Sequence, residues 1–195
     1  IAFWHEVDAG FAGRQPIDTR TVPLDRLDEM IGAVGRALAD GRRVYWVCPL
    51  VEESENTDLA AAEDRFAELK ERFGAMVDLV HGRMKGAEKD RAMERFAAGE
   101  TRLLVATTVI EVGVDVPEAT VMVIEHAERF GLSQLHQLRG RIGRGSGRST
   151  CLLLYRPPLG ETAKARLEIM RQTEDGFRIA AGDLRLRGDG DVLGT

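Results

Sequence analysis

The chain has 195 residues, enough for one domain or for one domain with an appendage. Its 44% hydrophobic and 30% charged content suits a soluble globular protein with a proper core, and no apolar run approaches the ~20 residues of a membrane helix. A net charge of −5 argues against a molecule that attracts nucleic acid through its overall field, although the stretch from Arg139 to Arg148 holds four arginines and no acid.

Residues 1–24, punctuated by Gly10, Gly13, Pro16 and Pro23, show no sustained period and read as a connector. The first residues have neither a basic start nor a signal-peptide core, and they lack an initiator Met, the mark of an excised or processed piece. Leu27, Ile31, Val34 and Leu38 then fall on one helical face, with Gly41 as a stop. Arg43–Cys48, β-branched and aromatic and ended by Pro49, reads as a buried strand. Glu52–Asp58 is polar and reads as a loop, and Leu59, Ala62, Phe66, Leu69 and Phe73 step by three and four along a helix that ends at Gly74. The alternation continues: strand Met76–Val80, helix Gly86–Ala98 closed by Gly99, strands Arg102–Thr107 and Thr120–Glu125, helix Leu132–Leu138, strand Thr150–Tyr155 and helix Glu161–Gln172. The strands are continuous apolar runs, as parallel strands covered on both faces must be, so the rhythm implies a doubly wound α/β sheet. Asp175–Thr195 falls outside that rhythm and reads as an appendage. Cys48 and Cys151 sit inside apolar runs and read as buried free thiols of a reducing cytosol, not as a disulfide or a metal pair.

In such a sheet ligands gather beyond the carboxyl ends of the strands, and three unusual segments are expected there. His81-Gly82-Arg83-Met84-Lys85 combines a tight turn with two cations, a pattern that by itself is more often just solvated. Thr107 to Pro117 offers hydroxyls for phosphate oxygens, a glycine at Gly113 and an acceptor, Asp115, suited to sugar hydroxyls; a capped turn followed by a connecting loop explains that composition equally well. In Gln134 to Gly145, Arg141 and Arg144 stand three apart and would project to one side of a helix, two rigid forks suited to a triphosphate tail. The order of Gly140, Gly143 and Gly145 is not a dinucleotide-binding fingerprint, because it follows a helix instead of a strand.

These segments, with Tyr45–Leu50 and Glu52–Glu55 before them, resemble the C-terminal-half motifs of superfamily 2 helicases, and among those the RecG family. The tail, Asp175–Ala181 through Asp183–Gly188 to Leu193-Gly194-Thr195, resembles the translocation motif that RecG shares with transcription-repair coupling factor. The resemblance covers roughly residues 24 to 195. It implies a RecA-like doubly wound parallel sheet with helices on both faces and a C-terminal helical-hairpin appendage: a connector over 1–24, a second RecA-like helicase domain over 25–172, and the start of the translocation hairpin over 173–195. It implies that Arg141 and Arg144 reach the ATP γ-phosphate as arginine fingers, that Gly113, Asp115 and Gln137 line or adjoin the nucleotide site, and that Thr107, His81, Gly82 and Arg83 lie on the DNA track.

No Gly-x-x-x-x-Gly-Lys-Ser/Thr phosphate loop occurs in the chain. ATP and Mg²⁺ are therefore expected to be held mainly by a first RecA-like domain, with branched DNA as the other partner, no membrane and a cytoplasmic location. The chain alone is expected not to hydrolyse ATP. The equivalent domain of transcription-repair coupling factor and a non-catalytic nucleic-acid-binding module are the alternative readings.

Overall fold

A computed structural model describes residues 16–50, 54–107, 116–145 and 147–193. Its six strands are β1 (Ile17–Pro23), β2 (Arg43–Cys48), β3 (Val77–Val80), β4 (Leu103–Thr107), β5 (Ala119–Ile124) and β6 (Ser149–Tyr155). They form one sheet in the order β1-β6-β5-β2-β4-β3, and every neighbouring pair is parallel. The helices are α1 (Leu27–Ala39), α2 (Glu55–Phe73), α3 (Gly86–Ala98), α4 (Leu132–Arg139), α5 (Glu161–Gln172) and α6 (Gly176–Leu193).

The side-chain alternation of a strand sorts the core into two layers. On β2, Val44, Trp46 and Cys48 join Ile31, Val34 and Leu38 of α1 and Ala62 and Leu69 of α2. Tyr45 and Val47 face the other way, toward Phe96 of α3, Leu132 and Leu135 of α4, and Leu167 and Met170 of α5. Helices thus cover both faces, which is why the central strands read as unbroken apolar runs, and why Cys48 and Cys151 are buried free thiols. Among the described residues no helix is long and apolar enough to cross a membrane.

Several boundaries differ from the sequence expectation. Ile17–Pro23 is not connector but an edge strand, registered on β6 from Ile17 opposite Ser149 to Pro23 opposite Tyr155. An edge strand has one neighbour, so Asp18 and Arg20 stay exposed and the apolar signal is diluted. The polar run before Leu59 is already helical from Glu55, because its first turn faces solvent and its side chains bond to one another. Residues 74–76 form a 3₁₀ turn, so β3 begins at Val77. The described part of the tail is one helix, α6, within the stretch 173–195 where the start of the hairpin was expected. Ile179 is buried in the core shared with α4 and α5, and Ser133 Oγ lies 3.3 Å from Asp183.

Candidate functional site

Because all strands run one way, the sheet has a carboxyl edge and an amino edge, and the candidate residues divide between them. His81 follows the last residue of β3 and Thr107 is the last residue of β4, so both sit at the carboxyl edge. Gly82 and Arg83 are exposed there. The Arg83 backbone N–H donates to His81 Nδ1 (3.2 Å), which leaves Nε2 as the other ring nitrogen to meet a ligand. The Arg83 guanidinium is engaged by the first turn of α2: Nη2 donates to Asn56 Oδ1 at 2.6 Å, and Nε lies 3.5 Å from Glu55. Thr107 is fully buried in this conformation, and its hydroxyl finds no hydrogen-bond partner among the described residues. A buried hydroxyl without a partner is costly, so the Thr107 hydroxyl would gain from a donor or an acceptor at this edge.

Two ion pairs that the sequence reading missed fix α2 against this edge. Glu125, immediately after β5, accepts from Trp46 Nε1 (3.0 Å), and Arg65 Nε lies 3.1 Å from each of its carboxylate oxygens. Burial pushes the Glu125 carboxyl up, but the hydrogen bonds and charge of Arg65, with the Trp46 N–H, outweigh it and hold the group below its ordinary value. The Cys48 thiol, 3.5 Å from the same carboxylate, is pushed well up by burial and then by Glu125. Nearby, Arg129 grips Asp58 with both terminal nitrogens (2.8 and 2.9 Å), and Ser54 Oγ donates to Asp58 at 2.9 Å. The sequence signal was an acid directly after an apolar strand, but its partner lies 60 residues away, and periodicity carries no such pairing.

The third segment is at the other edge. It does not leave a strand: α4 runs back across the sheet, and the loop after it leads into the first residue of β6. Helix α4 stops at Arg139, so Arg141 and Arg144 lie on this loop and not on a helical face. The backbone N–H groups of Arg141 and Ile142 bond back to Leu138 O (3.0 Å) and Arg139 O (3.2 Å). Ile142 is fully buried and plugs the loop into the core, while Arg141 and Arg144 remain exposed on either side of it. Gly143 has φ +78, a conformation that L side chains rarely adopt. Arg144 Nε donates to Gly140 O at 3.2 Å. Gln137 is exposed on α4. Arg139, grouped with the phosphate-seeking arginines by its position in the sequence, is instead 2% exposed and turned inward.

The structure therefore brings Gln137, Arg141 and Arg144 together at the amino edge, and His81, Gly82, Arg83 and Thr107 together at the carboxyl edge. Gly113 and Asp115 lie outside the described residues. Among the described residues no three of His, Cys, Asp and Glu converge in a way that would hold a metal ion. The donor chemistry on the amino-edge loop, two exposed guanidinium groups on glycine-rich backbone, fits a phosphate chain.

Residues 24–146 match the model of a family described as the helicase conserved C-terminal domain. The chain belongs to that family. Over 190 residues this helicase C-terminal domain is 57% identical to the ATP-dependent DNA helicase RecG of Acidithiobacillus ferridurans, covering 97% of the chain and 28% of the relative. The RecG of Escherichia coli K12 is 54% identical over 185 residues, 94% of the chain and 27% of the relative. The chain thus spans little more than a quarter of the length of these relatives. Among solved structures, RecG bound to a three-way DNA junction superposes with a TM-score of 0.77 at 43% identity, over 92% of this chain and 23% of that one. The yeast DEAD-box splicing factor Prp28 shares the fold alone, with a TM-score of 0.67 at 14% identity, over 83% of this chain and 34% of that one. The helicase C-terminal domain is thus a RecA-like domain of RecG type, as its motifs implied.

Proposed function

We propose that this domain, residues 25–172 with β1 joined to its sheet, is the second motor domain of an ATP-dependent DNA helicase that remodels branched DNA, as at replication forks and recombination junctions. The observation that carries the reading is the amino-edge loop, where a buried isoleucine holds two arginines outward on a domain of helicase type. Facing a first RecA-like domain that cradles ATP and its Mg²⁺, Arg141 and Arg144 would meet the γ-phosphate and stabilise the charge that develops on it, with Gly113, Asp115 and Gln137 beside the nucleotide. The carboxyl edge, with His81, Gly82, Arg83 and Thr107, would form part of the DNA track. Residues 173–195, whose helix α6 packs on α4 and α5, would carry the movement of the domain to the DNA.

The reading is tested by replacing the matched segment of E. coli RecG with residues 1–195. The chain alone is expected to show no ATP turnover, and the chimera to show turnover stimulated by branched DNA. Substantial hydrolysis by the chain alone would overturn the split-site reading.

A further inference from the structure

The arginine loop is fastened at both ends by contacts within the domain. At its leading end, Arg139 Nη1 donates to Thr19 Oγ1 of β1 (3.2 Å) and to the Met170 carbonyl, and Nη2 donates to the Thr173 carbonyl (2.8 Å). Met170 and Thr173 lie at the carboxyl end of α5, where helix carbonyls lack intrahelical partners and a cation is favoured by the helix dipole. One guanidinium thus ties the last residue of α4 to the edge strand and to the junction between α5 and α6. At the trailing end, Gly145 lies against Pro117. A Cβ at position 145 would stand 2.6 Å from the Pro117 carbonyl oxygen and 3.5 Å from its carbon. The obstacle is backbone and cannot rotate away, so any side chain here forces the two segments apart. Pro117 closes the segment from Thr107 in which Gly113 and Asp115 lie. Gly147, two residues on, is a matched contrast: its Cβ would meet only the Thr120 methyl, at an ordinary 3.8 Å.

We propose that Arg139 and Gly145 are positioning residues for the arginine loop, a bracket that fixes Arg141 and Arg144 in place before a triphosphate arrives. The inference rests on the arginine-finger reading of the loop. A group that acts on transition-state charge loses effect when displaced, while ground-state binding is little altered, so the signature of a loosened bracket is a fall in kcat with KM for ATP unchanged.

The test uses the RecG chimera carrying residues 1–195, with Arg144→Ala as reference. Gly145→Ala is expected to lower kcat by about 10²-fold, the cost of a displacement of roughly 1 Å in a catalytic group, with KM for ATP and DNA affinity held near the parent's. Gly147→Ala is expected to match the parent. Thr19→Val, which removes one acceptor of Arg139 without touching the loop, is expected to lower kcat several-fold at constant KM and melting temperature. In the 195-residue chain itself, Gly145→Ala is expected to speed exchange of the Ala119 amide, whose hydrogen bond to Val116 O (3.0 Å) sits beside the contact; Gly147→Ala is expected to leave it unchanged. If Arg144→Ala cripples turnover while Gly145→Ala tracks Gly147→Ala, the bracket fails and the finger reading stands. If Arg144→Ala leaves turnover intact, both fall. Unchanged Ala119 exchange in Gly145→Ala would overturn the contact, and with it the proposal, whatever the kinetics.

Discussion

The two edges of the sheet use arginine in opposite ways. At the carboxyl edge the guanidinium groups are bound by the protein's own oxygens: Arg65 by Glu125, Arg129 by Asp58, and Arg83 by Asn56 and Glu55. At the amino edge a buried arginine, a buried isoleucine and a close backbone contact do the holding, while Arg141 and Arg144 stay exposed. The number of arginines in a segment therefore says little about what it offers a phosphate. What matters is how the fold seats each one: Arg83 shares its guanidinium with Asn56 and Glu55, whereas Arg144 donates through Nε to the Gly140 carbonyl and remains exposed.

The largest effect that would sharpen this contrast is Arg144→Ala in the chimera, expected to cut DNA-stimulated turnover by about 10³–10⁵-fold without shifting the melting temperature. A proportional loss of stability would place Arg144 with the structural arginines. Next comes Arg65→Met, which strands the buried Glu125 carboxylate and is expected to cost about 3–5 kcal/mol in denaturant melts. A loss below about 1 kcal/mol, the worth of a surface pair, would mean that α2 is not held this way. The same carboxylate makes a pH prediction. Its folded pKa lies below its ordinary value, so it binds fewer protons in the folded chain than in the unfolded one. Its stabilisation is complete above the ordinary glutamate value of about 4.3 and is lost as pH falls through the depressed folded value. Glu125→Gln is therefore expected to flatten the acid side of the stability profile; an unaltered profile would refute the assignment. The smallest effect is expected of Arg83→Ala. Because its guanidinium is shared with Asn56 and Glu55, the slope of DNA affinity against salt is expected to fall by less than the unit or so that a dedicated phosphate contact gives. A full unit would move Arg83 into the class of Arg144.

Much of the scaffold was legible because its causes are local. Helices α3 and α5 fall where spacing and end signals put them, Gly86–Ala98 and Glu161–Gln172, and the central strands are apolar because both faces are covered. What escaped depends on distant partners. The edge strand β1 has an ambiguous pattern until β6 lies beside it. Glu125 and Arg65 become a pair only when β5 and α2 meet. The arginine spacing suggested a helical face, yet α4 ends at Arg139, and burial of Ile142 and the left-handed backbone of Gly143 decide where the side chains go. The placement of all three segments at one edge failed for a topological reason: the third follows a helix that has already crossed the sheet.

The parallel pairing of β1 with β6 has a mechanical consequence. A tension applied at residue 16 along the strand axis loads the seven paired positions from Ile17 to Pro23 in shear, all together, and does not peel them one at a time. With Thr19 also bonded to Arg139, that tension is delivered to the base of the arginine loop. The first strand of the domain can thus act as a taut tether whose far end is anchored beside the arginines.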